Sequence, residues 1–270
     1  MTPDRAPNKA AERTAMESRT ELRSAGAAIR NKLGLNDRGD TEPIPGFHHL
    51  TDEVVFGRVW SRPGLPLQDR VLATLAALTS MQYLPQLRTY IGAALHLGRS
   101  PQLVQEVMLH CAMYAGMPSA INSLEVVGAV LDEQSLPRPE VDLTHQELSL
   151  EALMERGEQM KQTLHAERAA GGYANAESAA SGLYGSVATQ YMYGEIWERP
   201  GMTVRERMIC SVAAFTALGM ESQQRKFFRS ALNVGLTSGE VVEVINQTGP
   251  YSGFPSAFNA ATVADEVLSL

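Results

Sequence analysis

Apolar positions in this chain recur at helical spacing, and no run alternates two by two for long enough to make a strand. Between Leu67 and Met81, the residues Val71, Leu72, Leu75, Ala76 and Leu78 fall on one stripe, which predicts a helix with a buried face. Better helix formers (Ala, Leu, Glu, Gln, Arg, Met) fill most of the remainder between short Gly and Pro breaks. Helices are predicted over Ala10–Leu33, over Thr51–Trp60, over Pro85–Leu97, and from the Ser100-Pro101 cap to about Tyr114. A further helix is predicted over Ala120–Asp132, beyond the Gly116 and Pro118 break. The fold class read from this pattern is all-α, a helical bundle.

The pattern occurs twice. Phe-Gly-Arg-Val-Trp-Ser-Arg-Pro-Gly at Phe56 to Gly64 returns as Tyr-Gly-Glu-Ile-Trp-Glu-Arg-Pro-Gly at Tyr193 to Gly201, an offset of 137. The same offset pairs Asp69-Arg70 with Glu206-Arg207, Glu106 with Glu243, Tyr114 with Tyr251, and Pro118-Ser119-Ala120 with Pro255-Ser256-Ala257. Thr237 likewise matches the helix cap at Ser100. Tandem duplication is therefore expected, with a first repeat over 1–136, a linker over 137–146 stiffened by Pro137-Arg138-Pro139, and a second repeat over 147–270. Differences between the copies then become the guide to chemistry.

A formal charge of −7, without a Lys/Arg run, argues against a nucleic-acid partner and leaves a small molecule as the expected ligand. No stretch has the apolar length of a membrane span and the polar Met1 to Arg30 lacks the core of a signal peptide, so a cytoplasmic protein is expected. Cys111 and Cys210 sit at non-equivalent apolar positions and read as buried thiols. Adjacent His48 and His49 have no partners at metal-ligand spacing, so no metal and no other cofactor is expected.

Glu106, His110 and Tyr114 lie four apart on one predicted helix, hence on one face. Such a strip can run acid/base chemistry, with Glu106 orienting the imidazole, His110 moving a proton and Tyr114 donating to an enolate oxygen. A purely architectural role for the three is the competing reading. The second copy has Glu243, Gln247 and Tyr251 there, and no histidine follows His165, so the first repeat is expected to hold the working pocket. Arg70 and Arg207 are read as buried partners of a carboxylate or as a clamp for a substrate carboxylate. Arg62 and Arg199 are read as turn residues with the guanidinium near Trp60 and Trp197. Asn122 and Asn259, polar on otherwise apolar helices, either satisfy backbone groups or bind a ligand carbonyl. Tyr184, Tyr191, Tyr193 and Glu195 cluster in the second copy and suit an apolar pocket with a few donors.

Trp197, Arg199, Pro200 and Gly201, the Asp/Glu-Arg pair, Glu106, and Tyr-x-Gly-x-Pro-x-Ala, together with Met154 to Gly157, resemble the carboxymuconolactone decarboxylase family. The resemblance implies small all-α units of the alkylhydroperoxidase D-like type that assemble into rings, so that a fused pair would close as a homotrimer. It also implies decarboxylation of a lactone acid or thiol peroxidase activity. The peroxidase branch needs Cys-x-x-Cys and a following His, where this chain has Ala115, Pro118 and Asn122, then Ser252, Pro255 and Asn259. The decarboxylating branch carries histidines where Asn122 and Asn259, and near Tyr90 and Phe227, stand here. The expectation is a cofactor-independent decarboxylase-like enzyme acting on a small carboxylated lactone or cyclic keto compound. Its expected catalytic residues are His110, Glu106 and Tyr114, and its expected substrate contacts are Asn122, Arg70, Tyr90, Tyr193 and Asn259. The alternatives are an isomerase or cyclase tailoring a secondary metabolite, and a ligand-binding member without catalysis.

Overall fold

A computed structural model describes residues 18–36, 42–140, 144–169 and 182–268, and among these every regular element is a helix. The first copy comprises α1 (Arg19–Lys32), α2 (Phe47–Leu50, continuing as a π-helix over Thr51–Trp60), α3 (Leu67–Met81), α4 (Leu84–His96), α5 (Pro101–Ala115) and α6 (Met117–Glu133). The second comprises α7 (Leu150–His165), α8 (Gly182–Val187, continuing as a π-helix over Ala188–Tyr193), α9 (Val204–Leu218), α10 (Glu221–Asn233), α11 (Ser238–Ser252) and α12 (Phe254–Leu268). The expected tandem helical repeats are present. Residues 10–17 of the predicted opening helix lie outside the described residues.

Capping chemistry sets the boundaries. Ser100 Oγ accepts from the Leu103 amide at 3.1 Å and starts α5, while Thr203 with Glu206 and Thr237 with Glu240 form capping boxes on α9 and α11. Gly116 and its counterpart Gly253, with φ of 93° and 95°, break α5 from α6 and α11 from α12. The helix after Gly116 therefore starts at Met117, ahead of the predicted Ala120.

The chain divides into two compact units at Arg62 and Pro63. This differs from the 137–146 boundary of the sequence repeat. Within the first unit, α1 meets α2 backbone to backbone: a Cβ on Gly26 would stand 2.3 Å from the Asp52 carbonyl oxygen. Arg19 and Arg23 flank Glu53 at 2.8 Å each. Within the second unit the same crossing recurs, because a Cβ on Gly157 would stand 1.9 Å from the Thr189 carbonyl oxygen. Asp52 and Thr189 are equivalent, so the duplicated π-helices meet their partners at the same carbonyl.

At the centre of the second unit α3 packs along α9, its counterpart. Each also packs on the other copy's site helix, α3 on α11 and α9 on α5. The stripe expected on α3 is in fact a helix buried all round from Asp69 to Ser80, which is what a central position demands. Asp69 and Glu206 carry charges that join the copies: Arg99 reaches both, at 3.3 and 2.8 Å, and Arg205 reaches Asp69 at 2.7 Å and Glu240 at 2.6 Å.

Candidate functional site

The four-residue spacing on α5 sends Glu106, His110 and Tyr114 toward α9, which presents Arg207, Ser211 and Phe215 one turn apart. The contacts of the strip with Arg199, Arg207 and Ser211 are thus made across the two copies. Glu106 is almost fully buried and takes Arg199 in a forked pair, Nη2 at 2.8 Å and Nε at 3.0 and 3.1 Å, while Arg207 Nη2 donates to Oε2 at 3.1 Å. Arg199 was expected beside the Trp197 indole. It turns to Glu106, because a buried carboxylate is a stronger partner than a ring face.

His110 has no exposed surface. Its Nε2 lies 2.9 Å from Ser211 Oγ and 3.3 Å from the Tyr114 hydroxyl, and Trp197 meets the ring edge to face at 5.0 Å. Burial, helped by the Arg207 charge, holds its pKa well below the ordinary value, so the imidazole is neutral at pH 7. The half-buried Tyr114 places its hydroxyl 2.9 Å from Ser211 Oγ and its ring against Phe215.

Tyr114 also lines a cavity of about 440 Å³, with Met113, Met192, Met220, Phe215 and Phe227 among its apolar walls. Tyr184 and Gln223 supply the other polar groups among the described residues of the lining, none of which carries a formal charge. His110 does not line it; the ring stands one layer behind Tyr114. The imidazole expected to meet substrate is therefore screened from the cavity by the residue one helical turn on.

The equivalent strip in the second copy makes a twin. Arg70 Nη2 donates to Glu243 Oε2 at 2.8 Å and Nη1 to Gln247 Oε1 at 3.2 Å; Gln247 Nε2 donates to Thr74 Oγ1 at 3.1 Å. Tyr251 donates to the Tyr90 hydroxyl at 2.6 Å, ring against ring edge to face. Arg70 and Tyr90, expected at a ligand, belong to this twin and not to the cavity. Phe227 occupies the position of Tyr90 in the first site, so the hydroxyl that engages Tyr251 has no counterpart beside Tyr114.

The remaining expected ligand contacts lie elsewhere. Tyr193 is buried behind the cavity, its hydroxyl 3.1 Å from His165 Nε2, whose Nδ1 meets Ser230 Oγ at 2.7 Å. Asn122 is exposed and donates to Gln82 Oε1 at 2.8 Å, bracing a residue with φ 57° that closes α3. Asn259 is exposed beside a second, more polar cavity of about 400 Å³. Gly219 replaces Gln82 in the second copy, so Asn259 lacks the brace. Ser211 was not anticipated. The signal available was the hydroxyl retained at its equivalent, Thr74, one turn after each buried arginine.

A family model described as the carboxymuconolactone decarboxylase family matches residues 45–129 and again 183–266. The chain is 29% identical to a 4-carboxymuconolactone decarboxylase of Acinetobacter baylyi over 127 residues, covering 47% of this chain and 91% of that protein. It is 32% identical to a nitrosuccinic acid decarboxylase of Metarhizium robertsii over 100 residues, covering 36% of this chain and 69% of the relative. Two matched copies, fused and interlocked across α3 and α9, make this chain a member of the carboxymuconolactone decarboxylase family.

Proposed function

We propose that this chain is a decarboxylase-type lyase, needing no cofactor, whose working site is the cavity bordered by Tyr114. The observation that carries the reading is a phenol on the wall of an apolar cavity, wired to a buried neutral imidazole and a serine, in a relative of two decarboxylases. The substrate class is a small carboxylated lactone or cyclic keto compound. Loss of carbon dioxide leaves an electron pair on the adjacent carbon that spreads into a carbonyl. An apolar wall disfavours the localised carboxylate more than the dispersed enolate. Tyr114 donates to the enolate oxygen and then protonates carbon: its O–H bond breaks, a C–H bond forms, and the phenolate regains its proton from solvent. Glu106 neutralises one of the two arginines it meets, the buried Arg207 and the partly buried Arg199, and fixes the helix face.

Carbon dioxide release from 4-carboxymuconolactone and from nitrosuccinic acid, each with the purified chain, tests the proposal. Turnover of either, abolished in Y114F, is the expected result; binding of cyclic keto acids without turnover would support a ligand-binding member instead. The low charge of the cavity wall favours a substrate with a sizeable apolar ring, and on such a substrate an isomerase or cyclase would form product without gas release. Among the described residues no helix is long and apolar enough to cross a membrane. A closed homotrimer is also proposed, checked by a light-scattering mass three times the 29.3 kDa of the chain.

A further inference from the structure

His110 and Gln247 hold the same position in the two copies, and the twin shows the hydrogen-bond pattern that position serves. There, Thr74 Oγ1 donates to the Arg70 carbonyl at 3.0 Å, so it can only accept from Gln247 Nε2 at 3.1 Å. The amide oxygen faces the guanidinium and accepts from Arg70 Nη1 at 3.2 Å. The amide thus presents an acceptor to arginine and a donor to a hydroxyl.

The first site keeps every partner of that arrangement. Ser211 Oγ donates to the Arg207 carbonyl at 2.9 Å and lies 2.9 Å from His110 Nε2. A hydroxyl whose proton is already committed to a carbonyl accepts, so Nε2 must carry hydrogen. In a neutral ring Nδ1 is then an acceptor. Four buried atoms of the described residues lack a hydrogen-bond partner here, His110 Nδ1, Arg207 Nε and Nη1, and Trp197 Nε1; of these, Nδ1 and Nη1 are the acceptor and donor that the twin pairs. Leaving both unmade is costly, which favours their closing on each other.

We infer that Arg207 holds His110 as the neutral Nε2–H tautomer, so that the imidazole is a positioning donor to the Tyr114 oxygen and Ser211 and not a base. The same burial and charge that keep the ring neutral make an imidazolium intermediate unfavourable. The catalytic consequence rests on the reading of Tyr114 given above; the tautomer does not. As the phenol releases its proton, negative charge gathers on an oxygen 3.3 Å from Nε2, and that hydrogen bond strengthens.

Long-range proton–nitrogen correlation of the full chain at pH 7, with the His110 signals assigned by their loss in H110Q, reads the tautomer directly. Protonated Nε2 with unprotonated Nδ1 is expected; a protonated Nδ1, alone or with Nε2, overturns the inference. H110Q copies the twin and supplies the assignment even if bulkier changes fail to fold. H110Q is further expected to exceed H110L in kcat by about tenfold, the worth of a charge-assisted hydrogen bond, with KM alike. Equal kcat in the two overturns the positioning role. Should Y114F turn over like the parent while the Nε2–H tautomer is found, the decarboxylase reading of Tyr114 falls and the tautomer stands.

Discussion

The Tyr114 site and its twin at Tyr251 share a glutamate, a buried arginine and a tyrosine, yet the first borders a cavity through its phenol and the second ends in a tyrosine–tyrosine hydrogen bond. Four exchanges among the residues around the two phenols separate them: His110 for Gln247, Ser211 for Thr74, Phe215 for Leu78, and Phe227 for Tyr90. The lesson is that the shared framework is architecture, since Glu106 with Arg207 and Glu243 with Arg70 recur whatever the cavity does. Chemistry is carried by what the framework holds: an ionisable phenol with a ring donor and the Ser211 hydroxyl behind it, where the twin has a second phenol.

The comparison can be broken most forcefully at the phenols. Y114F should lower turnover by about two to four orders of magnitude, the range for losing a positioned acid, while Y251F should leave it within about twofold. Comparable losses in both would remove the distinction between the sites. Next comes E106Q, which strips the charge partner from two arginines and should cost about 3–5 kcal/mol in urea unfolding. E243Q should cost less, since Arg70 keeps the Gln247 and Pro63 acceptors.

Acid should separate the sites too, because only the first carries an imidazole. The folded-state pKa of His110 lies well below its unfolded value near 6.5, so the unfolded chain takes up the proton first. Stability is therefore full above about pH 6.5 and declines as pH falls. H110Q should flatten that limb, measured as unfolding midpoint against pH. His165, which burial and the charges of Lys226, Arg168 and Lys161 push down to about 3, keeps part of the slope in the variant. The smallest effect is expected from Q247H, which places an imidazole among Arg70 and Thr74 with the phenol still held by Tyr90. Unfolding free energy should move by less than about 1.5 kcal/mol, as for a near-isosteric exchange, and turnover should not change.

Much of the fold was legible because helix ends are written in caps: Ser100, Thr237 and the glycines at 116 and 253 mark them, and α3 runs over the predicted residues. The face shared by Glu106, His110 and Tyr114 was legible for a similar reason, a spacing of four. What faces that strip was not, since periodicity says which side of a helix is buried but not which helix covers it. Arg207 and Ser211 come from the other copy, and no local signal announces that. Asn122 and Asn259, read as satisfying backbone groups or binding a ligand carbonyl, both lie on the solvent side, where a polar residue between apolar neighbours marks the outer face of its helix. Arg199 misled because its turn motif fixes the backbone and leaves a long side chain several partners.

The pairing of α3 with α9 also bears on how the gene could be divided. Cutting the chain in the segment 137–146 would give two polypeptides, each with a sheath of helices around a bare greasy rod, and co-expressed they should purify together as one particle. A first half made alone would have to lend its rod to another of itself, seating an imidazole on both sides. Duplication followed by drift on one side would turn such a self-paired ancestor into the lopsided molecule seen now.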